Sequence, residues 1–229
     1  GELKYYLDQT LGGSFDIVTD LKVDNRVPII VGKSALIARM GISIDYNKLG
    51  EDGIVIKSVG PALVLTGNTR GVLYAVYTFL EDYIGFKWLS PECTVAPSKK
   101  SIRLKDLNVT YVPQFTTRAL DYFSAFDQDW AVRNKVNGYG YAKRSSIDEE
   151  HGGEVAYPFP FYFWHTIRQW IPFDKYRDTH PEYFSELDGK RVTTNDLETD
   201  YCMTNPEVVK LVIDGVRKTL REHPGSTMI

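Results

Sequence analysis

The sequence predicts an α/β fold in two parts. Residues 1–110 form a small α/β domain, and residues 111–229 form the first part of a (β/α)8 TIM-type barrel that is incomplete in this chain. Three observations predict this. An apolar strand pair, "GIVIKSV" and "ALVLTG", leads straight into the long apolar segment "NTRGVLYAVYTFLEDYIG". Beyond residue 110 the order reads strand, helix, long excursion, strand, helix, strand, which is how a barrel of alternating β and α units opens. The stretch after residue 110 is also only about half of the roughly 250 residues a full barrel needs.

Each element follows from local pattern. Leu3, Tyr6, Leu7 and Leu11 recur at helical spacing before Gly12-Gly13, predicting a first helix. "FDIVTD" and "VPIIVG" read as strands, and "SALIARMG" as a short helix closed by Gly41. The turn Gly60-Pro61 makes the two strands around it a hairpin. Asn68 is placed to cap the next helix and Gly85 to end it; its nearly all-round apolar centre predicts burial against the sheet. "VAPSKKSIRL" and "LNVTYVPQF" bridge to the second part. There "TTRALDYF" is a predicted strand, and "SAFDQDWAVRNKVNG" a helix closed by Gly138. An aromatic and charged excursion covers about 140–198, and "DYCMT" is a predicted strand. The last helix starts at Thr204 or Asn205 with Pro206 in its first turn, and carries a stripe of Val209, Val212, Ile213, Val216 and Leu220. "STMI" reads as the beginning of a further strand.

Composition narrows the function classes. The net charge is −3 and no stretch is strongly basic, which argues against a nucleic-acid groove. No apolar run approaches the roughly 20 residues of a membrane helix. Aromatic residues make up 13%, led by 15 Tyr. Such side chains pair a flat apolar face with a polar tip, which suits a sugar ring and equally suits a Tyr-rich core. Cys93 and Cys202 read as free thiols. No phosphate loop, dinucleotide fingerprint, nucleophile elbow or zinc motif occurs, so neither cofactor nor metal is expected.

The segment "DGIVIKSVGPALVLTGNTRGVLYAVYTFLEDYIGFKWLSP", with Gly71, Tyr74 and Tyr77 on its helix, resembles the α/β domain that precedes the catalytic barrel in β-N-acetylhexosaminidases and α-glucuronidases. "FTTRALDYFSAFDQDWAVRNKVNG", "KYRDTHPEYFSELDGKR" and "YCMTNPEVVKLV" extend a resemblance over nearly the whole chain to a bacterial family of unknown function, number 4838, found in gut Bacteroidetes. The resemblance implies part of a secreted or periplasmic glycoside hydrolase acting on complex glycans, its signal peptide removed; the alternative is a non-catalytic carbohydrate-binding or scaffold protein. It also implies that the catalytic carboxylates lie on later barrel strands, and that exposed strand edges allow self-association.

Candidate ligand contacts are those at the C-terminal ends of the predicted barrel strands, or in excursions above them. Asp121 ends "TTRALDY", where it can reach a ligand or bond a nearby loop. Arg118, on the same strand, can grip a carboxylate or sugar hydroxyls, or pair with a neighbouring acid. Trp130 shares a helix face with Arg133 or Asn134 and can edge a pocket or pack on the sheet. In "PFPFYFWHT", alternation sets Tyr162 and Trp164 opposite Phe159, Phe161 and Phe163. Trp164 can then stack on a sugar with His165 at the ring's edge, and His165 is the best acid–base candidate among the four histidines. Asn205 follows "YCMT" and can face a ligand or cap the helix. Asp127 reads as part of a capping box with Ser124, "IDEEHGGE" as a charged loop, and His180 as a turn residue before Pro181.

Overall fold

The computed structural model describes residues 1–18, 27–98, 101–103, 105–121, 123–139, 147–155, 166–192 and 200–224. The chain is a mixed α/β protein that divides into two compact units, Gly1–Ala156 and Tyr157–Ile229.

The first unit begins with α1 (Glu2–Leu11), ended by Gly12 in the left-handed conformation at φ 61°. Residues 14–18 of the predicted strand "FDIVTD" carry no regular structure. Ile17 and Val18 stay largely exposed, so no sheet face rewards pairing there; the Phe15 amide instead donates to Asp8 Oδ1 at 2.9 Å. Next come β1 (Ile29–Val31), α2 (Ala35–Arg39), α3 (Tyr46–Leu49), β2 (Ile54–Val59) and β3 (Ala62–Gly67). The β2–β3 hairpin turns at Gly60, φ 54°, as the Gly-Pro pair predicts.

α4 (Thr69–Phe79) runs on through a widened π turn at Leu80–Ile84 to Gly85. Asn68 does not cap it with its side chain. Its carboxamide donates instead to the carbonyls of Tyr46 and Gly50, at 2.8 and 2.6 Å. A hairpin of β4 (Lys87–Ser90) and β5 (Cys93–Val95) follows, then β6 (Asn108–Tyr111). The expected bridge "LNVTYVPQF" thus supplies a strand: the sheet order is β1-β3-β2-β6, with β1 parallel to β3 and the other pairs antiparallel.

β3 is buried throughout because both its faces are covered. Leu63 and Leu65 join the main core with Tyr74, Tyr77, Phe79 and Phe86. Val64 faces the other way, into a smaller cluster with Ile30, Ile37 and Ile42. Period-two alternation divides one strand between two cores.

Beyond β6, the predicted strand "TTRALDYF" is short: β7 is Ala119–Leu120. A 3-10 turn at Phe123–Phe126 leads to α5 (Gln128–Arg133). Asp127 is itself the cap, its Oδ1 accepting from the Trp130 amide at 2.7 Å. Lys135 at φ 60°, not Gly138, turns the chain out of the helix, and Gly138 opens β8 (Gly138–Tyr139). β8 pairs with β7 in parallel. These elements pack within the first unit, and Trp130 and Val132 lie in its main core.

The second unit holds α6 (Ile167–Trp170), α7 (Phe173–Tyr176), a 3-10 turn at Pro181–Tyr183, and a hairpin of β9 (Glu186–Leu187) and β10 (Lys190–Arg191). Its last element is α8 (Pro206–Glu222). The excursion predicted as irregular is therefore partly built, around a core of Ile171, Phe173, Tyr183, Phe184 and Val208. "DYCMT" makes only one antiparallel bridge, Tyr201 with Phe184; the parallel partner of "TTRALDYF" is β8. The buried stripe of α8 is also rotated from the predicted one. Val208 is fully buried and Gly215 lies against the Trp170 ring, while Ile213 is exposed. No closed barrel is formed among the described residues.

One backbone contact sets the position of α4. A Cβ on Gly71 would overlap the carbonyl oxygen of Gly53, and one on Gly67 would overlap Gly53 and Gly71. The Gly71 amide donates to Glu51 O at 2.8 Å. Backbone on both sides leaves nothing to give way. Gly71→Ala should therefore lower the unfolding free energy by about 1–3 kcal/mol, the usual range for overpacking, as read from urea melts.

Candidate functional site

The polarity of the β7–β8 pair organises the polar residues around it. At its N-terminal ends stand Arg118 and Asn137, each immediately before its strand. Asn137 is fully buried and Asp52, in the loop before β2, is 8% exposed. Asp52 Oδ2 accepts from Arg118 Nη2 at 2.9 Å and from Asn137 Nδ2 at 2.8 Å, while its Oδ1 pairs with Arg70 Nε in the first turn of α4. Asn137 Oδ1 takes the Arg118 amide at 2.7 Å, and the Asn137 amide returns to Arg118 O at 3.1 Å. The Arg118 guanidinium also donates to Lys135 O and Phe115 O, at 2.8 and 2.9 Å. It lies 5.4 Å from the centroid of the buried Tyr74 ring, whose phenol burial pushes up to about 12. Three of the Arg118 donors are thus engaged inside the protein, at the strand end opposite Asp121.

At the C-terminal end of β7 the surroundings are different. Asp121 follows the strand directly and is exposed. Two residues on, Phe123 is 87% exposed, its ring 6.1 Å from that of Phe126. A carboxylate beside an uncovered aromatic ring offers a hydrogen-bond acceptor and a stacking face together. Sequence reading singled out Asp121 and passed over Phe123, because nothing in "DYFSAF" distinguishes a bared ring from a packed one.

The remaining candidates are dispersed. Trp130 is buried, with its indole N–H donating to Trp88 O at 3.1 Å. Asn134 donates to the same carbonyl at 3.3 Å. Arg133 pairs with Glu2 and Asp129, both at 3.2 Å, and borders a hollow of about 370 Å³ shared with Tyr5, Tyr6 and Gln9. Asn205 caps α8, its Oδ1 accepting from the Glu207 amide at 2.9 Å. Trp164 and His165 lie outside the described residues.

The charged loop "IDEEHGGE" is held to α5. His151 bridges two carboxylates, Nδ1 to Asp148 Oδ1 and Nε2 to Asp129 Oδ1, each at 2.7 Å. Burial opposes its protonation, but the hydrogen bonds to Asp148 and Asp129 outweigh burial and raise the imidazole above its ordinary 6.5. The bond from His151 holds Asp148 below its ordinary 3.8. Gly152 O in the same turn accepts from Arg70 Nη1 at 3.3 Å, which links this clamp to Asp52.

Residues 88–229 match the family model described as "Domain of unknown function (DUF4838)", and the chain belongs to that family. A search of curated proteins gives no match. Among the described residues, no helix is long and apolar enough to cross a membrane.

Two outcomes follow from these clusters. Asp52→Ala leaves two guanidinium groups and a buried carboxamide without their shared acceptor, and should cost about 3–5 kcal/mol in chemical denaturation. The His151 clamp contributes stability fully below pH 6.5 and loses it as pH rises through the raised folded value; on the acid side, the Asp148 contribution is present above pH 3.8 and lost as pH falls. Melting temperature should therefore fall across the neutral range in the wild type and more weakly in His151→Gln.

Proposed function

We propose that this chain is part of a glycoside hydrolase acting on complex glycans, hydrolysing O-glycosyl bonds in a secreted or periplasmic setting. In this reading the four-stranded sheet with α1 and α4 is an accessory α/β domain, and β7–α5–β8 opens a TIM-type barrel. The observation that carries the proposal is the parallel β7–β8 pair with α5 between its strands. Parallel neighbours joined through a helix are the repeating unit of such barrels, and ligands are taken at the C-terminal strand ends. Asp121 and Phe123 stand at that end, while the N-terminal ends are tied to Asp52. In the same reading, the segment carrying Gly71, Tyr74 and Tyr77 corresponds to the α/β domain that precedes the barrel in β-N-acetylhexosaminidases and α-glucuronidases.

A second reading is saccharide binding without turnover. Glycoside hydrolysis commonly needs two carboxyl groups on either side of the scissile bond. Among the described residues, Asp121 is the one carboxylate that directly follows a strand of the parallel pair.

Calorimetric titration with chitooligosaccharides and glucuronoxylan oligosaccharides tests the shared premise. Binding to one class is expected, weakened roughly 10- to 100-fold in Asp121→Asn, the equivalent of about 1.5–3 kcal/mol for a charged hydrogen bond. Phe123→Ala should weaken it as well. Absence of binding to both classes, or binding indifferent to both substitutions, would overturn the proposal. Release of nitrophenol from aryl glycosides by this chain should stay at background, because the resemblance implies that the catalytic carboxylates lie on later barrel strands; robust hydrolysis would overturn that assignment.

A further inference from the structure

The second unit gathers three metal-competent side chains from two separated segments. His180 stands just before the 3-10 turn, Glu182 lies within it, and Glu207 is the second residue of α8. One ligand atom from each lies within 4.8 Å of the others. We propose that His180, Glu182 and Glu207 form a binding site for a divalent transition-metal ion of the Zn2+ type.

The support around the three residues is what makes this more than a surface coincidence. Tyr183, 5% exposed, orients two of them at once. Its ring stacks on the His180 imidazole, with centroids 4.6 Å apart and planes 11° from parallel. Its hydroxyl donates to Glu207 Oε2 at 2.8 Å, leaving the other carboxylate oxygen to a ligand. The turn is fastened to the start of α8 by the Cys202 amide on Tyr183 O at 2.8 Å and by Asn205 Nδ2 on Glu182 O at 3.4 Å. A phenol that hydrogen-bonds a ligating carboxylate, and a neighbour that fixes an imidazole plane, are the outer partners that metal sites use to hold their ligands in place.

The chemistry of the donors selects the ion. His180 Nδ1 already faces Glu182 Oε1 at 3.0 Å. Two carboxylates share this small volume, and their repulsion becomes attraction when a dication sits between them. An imidazole nitrogen with carboxylate oxygens suits Zn2+, Ni2+ or Cu2+ over Mg2+ and Ca2+, which prefer all-oxygen shells. Zn2+ takes nitrogen at about 2.0–2.1 Å and oxygen at about 2.0–2.2 Å, so the side chains close in slightly around it. The ligand side chains of His180 and Glu182 are 41% and 49% exposed, which gives the ion a path from solvent and leaves room for water as a fourth ligand. A bound ion would cross-link the turn to α8.

The test uses tag-free protein stripped with chelator and titrated with Zn2+ against a colorimetric indicator, with Mg2+ and Ca2+ in parallel. One saturable Zn2+ site per chain is expected, with no comparable binding of the other two ions. His180→Ala and Glu207→Gln should abolish that site. Tyr183→Phe keeps the stacked ring and removes the hydroxyl, and should weaken the site about 10-fold or more. Circular dichroism confirms that each variant is folded. Absence of saturable Zn2+ binding, or equal binding by wild type and His180→Ala, would overturn the proposal. So would Mg2+ binding as tightly as Zn2+.

Discussion

The Asp52 carboxylate is the constraint on which the first unit depends. It is almost buried, and it receives donors from three places far apart in sequence: Arg70, Arg118 and Asn137. A lone carboxylate there would carry the full cost of an unpaired buried charge. Two guanidinium groups and a carboxamide replace water, so the interaction is strong only while every partner is present. The start of α4 and the N-terminal ends of β7 and β8 are thereby held to one point. Strands of two residues each have too few ladder bonds to set their own position, so the side-chain network sets it for them.

This arrangement gives the β7–β8 pair a closed end and an open end. The closed end spends its hydrogen-bonding capacity on the protein itself, through Arg118 and Asn137. The open end carries Asp121 and the bare Phe123 ring. Arg118 and Asp121 are only three residues apart, and a sequence reading treats them as one cluster. The strand β7 lies between them and assigns them to opposite ends.

Legibility of the fold followed the strength of the local pattern. The β2–β3 hairpin, α4 and α8 were readable because Gly60, Gly85 and Pro206 punctuate long apolar runs. β6 was missed because an edge strand buries little and its alternation is weak. β8 was missed because Gly138 looks like a helix stop, whereas Lys135 adopts the left-handed conformation and ends α5 earlier. In α8 the apolar residues suggested one stripe, but Gly215 admits the Trp170 ring and turns the buried face toward Val208. Of the candidate site, the position of Asp121 at a strand end was legible. The grouping of His180, Glu182 and Glu207 was not, since Glu207 comes from a distant segment and spacing alone cannot reveal it.

The glycine crossing carries a consequence for how the Asp52 cluster is held. Gly53 follows Asp52 and Gly71 follows Arg70, so the two bare backbones touch one residue away from the ion pair. The reach between acid and base is therefore machined into main chain, with side-chain shape excluded from the joint. Apolar side chains elsewhere on α4 take no part in this joint, whose atoms are all main chain.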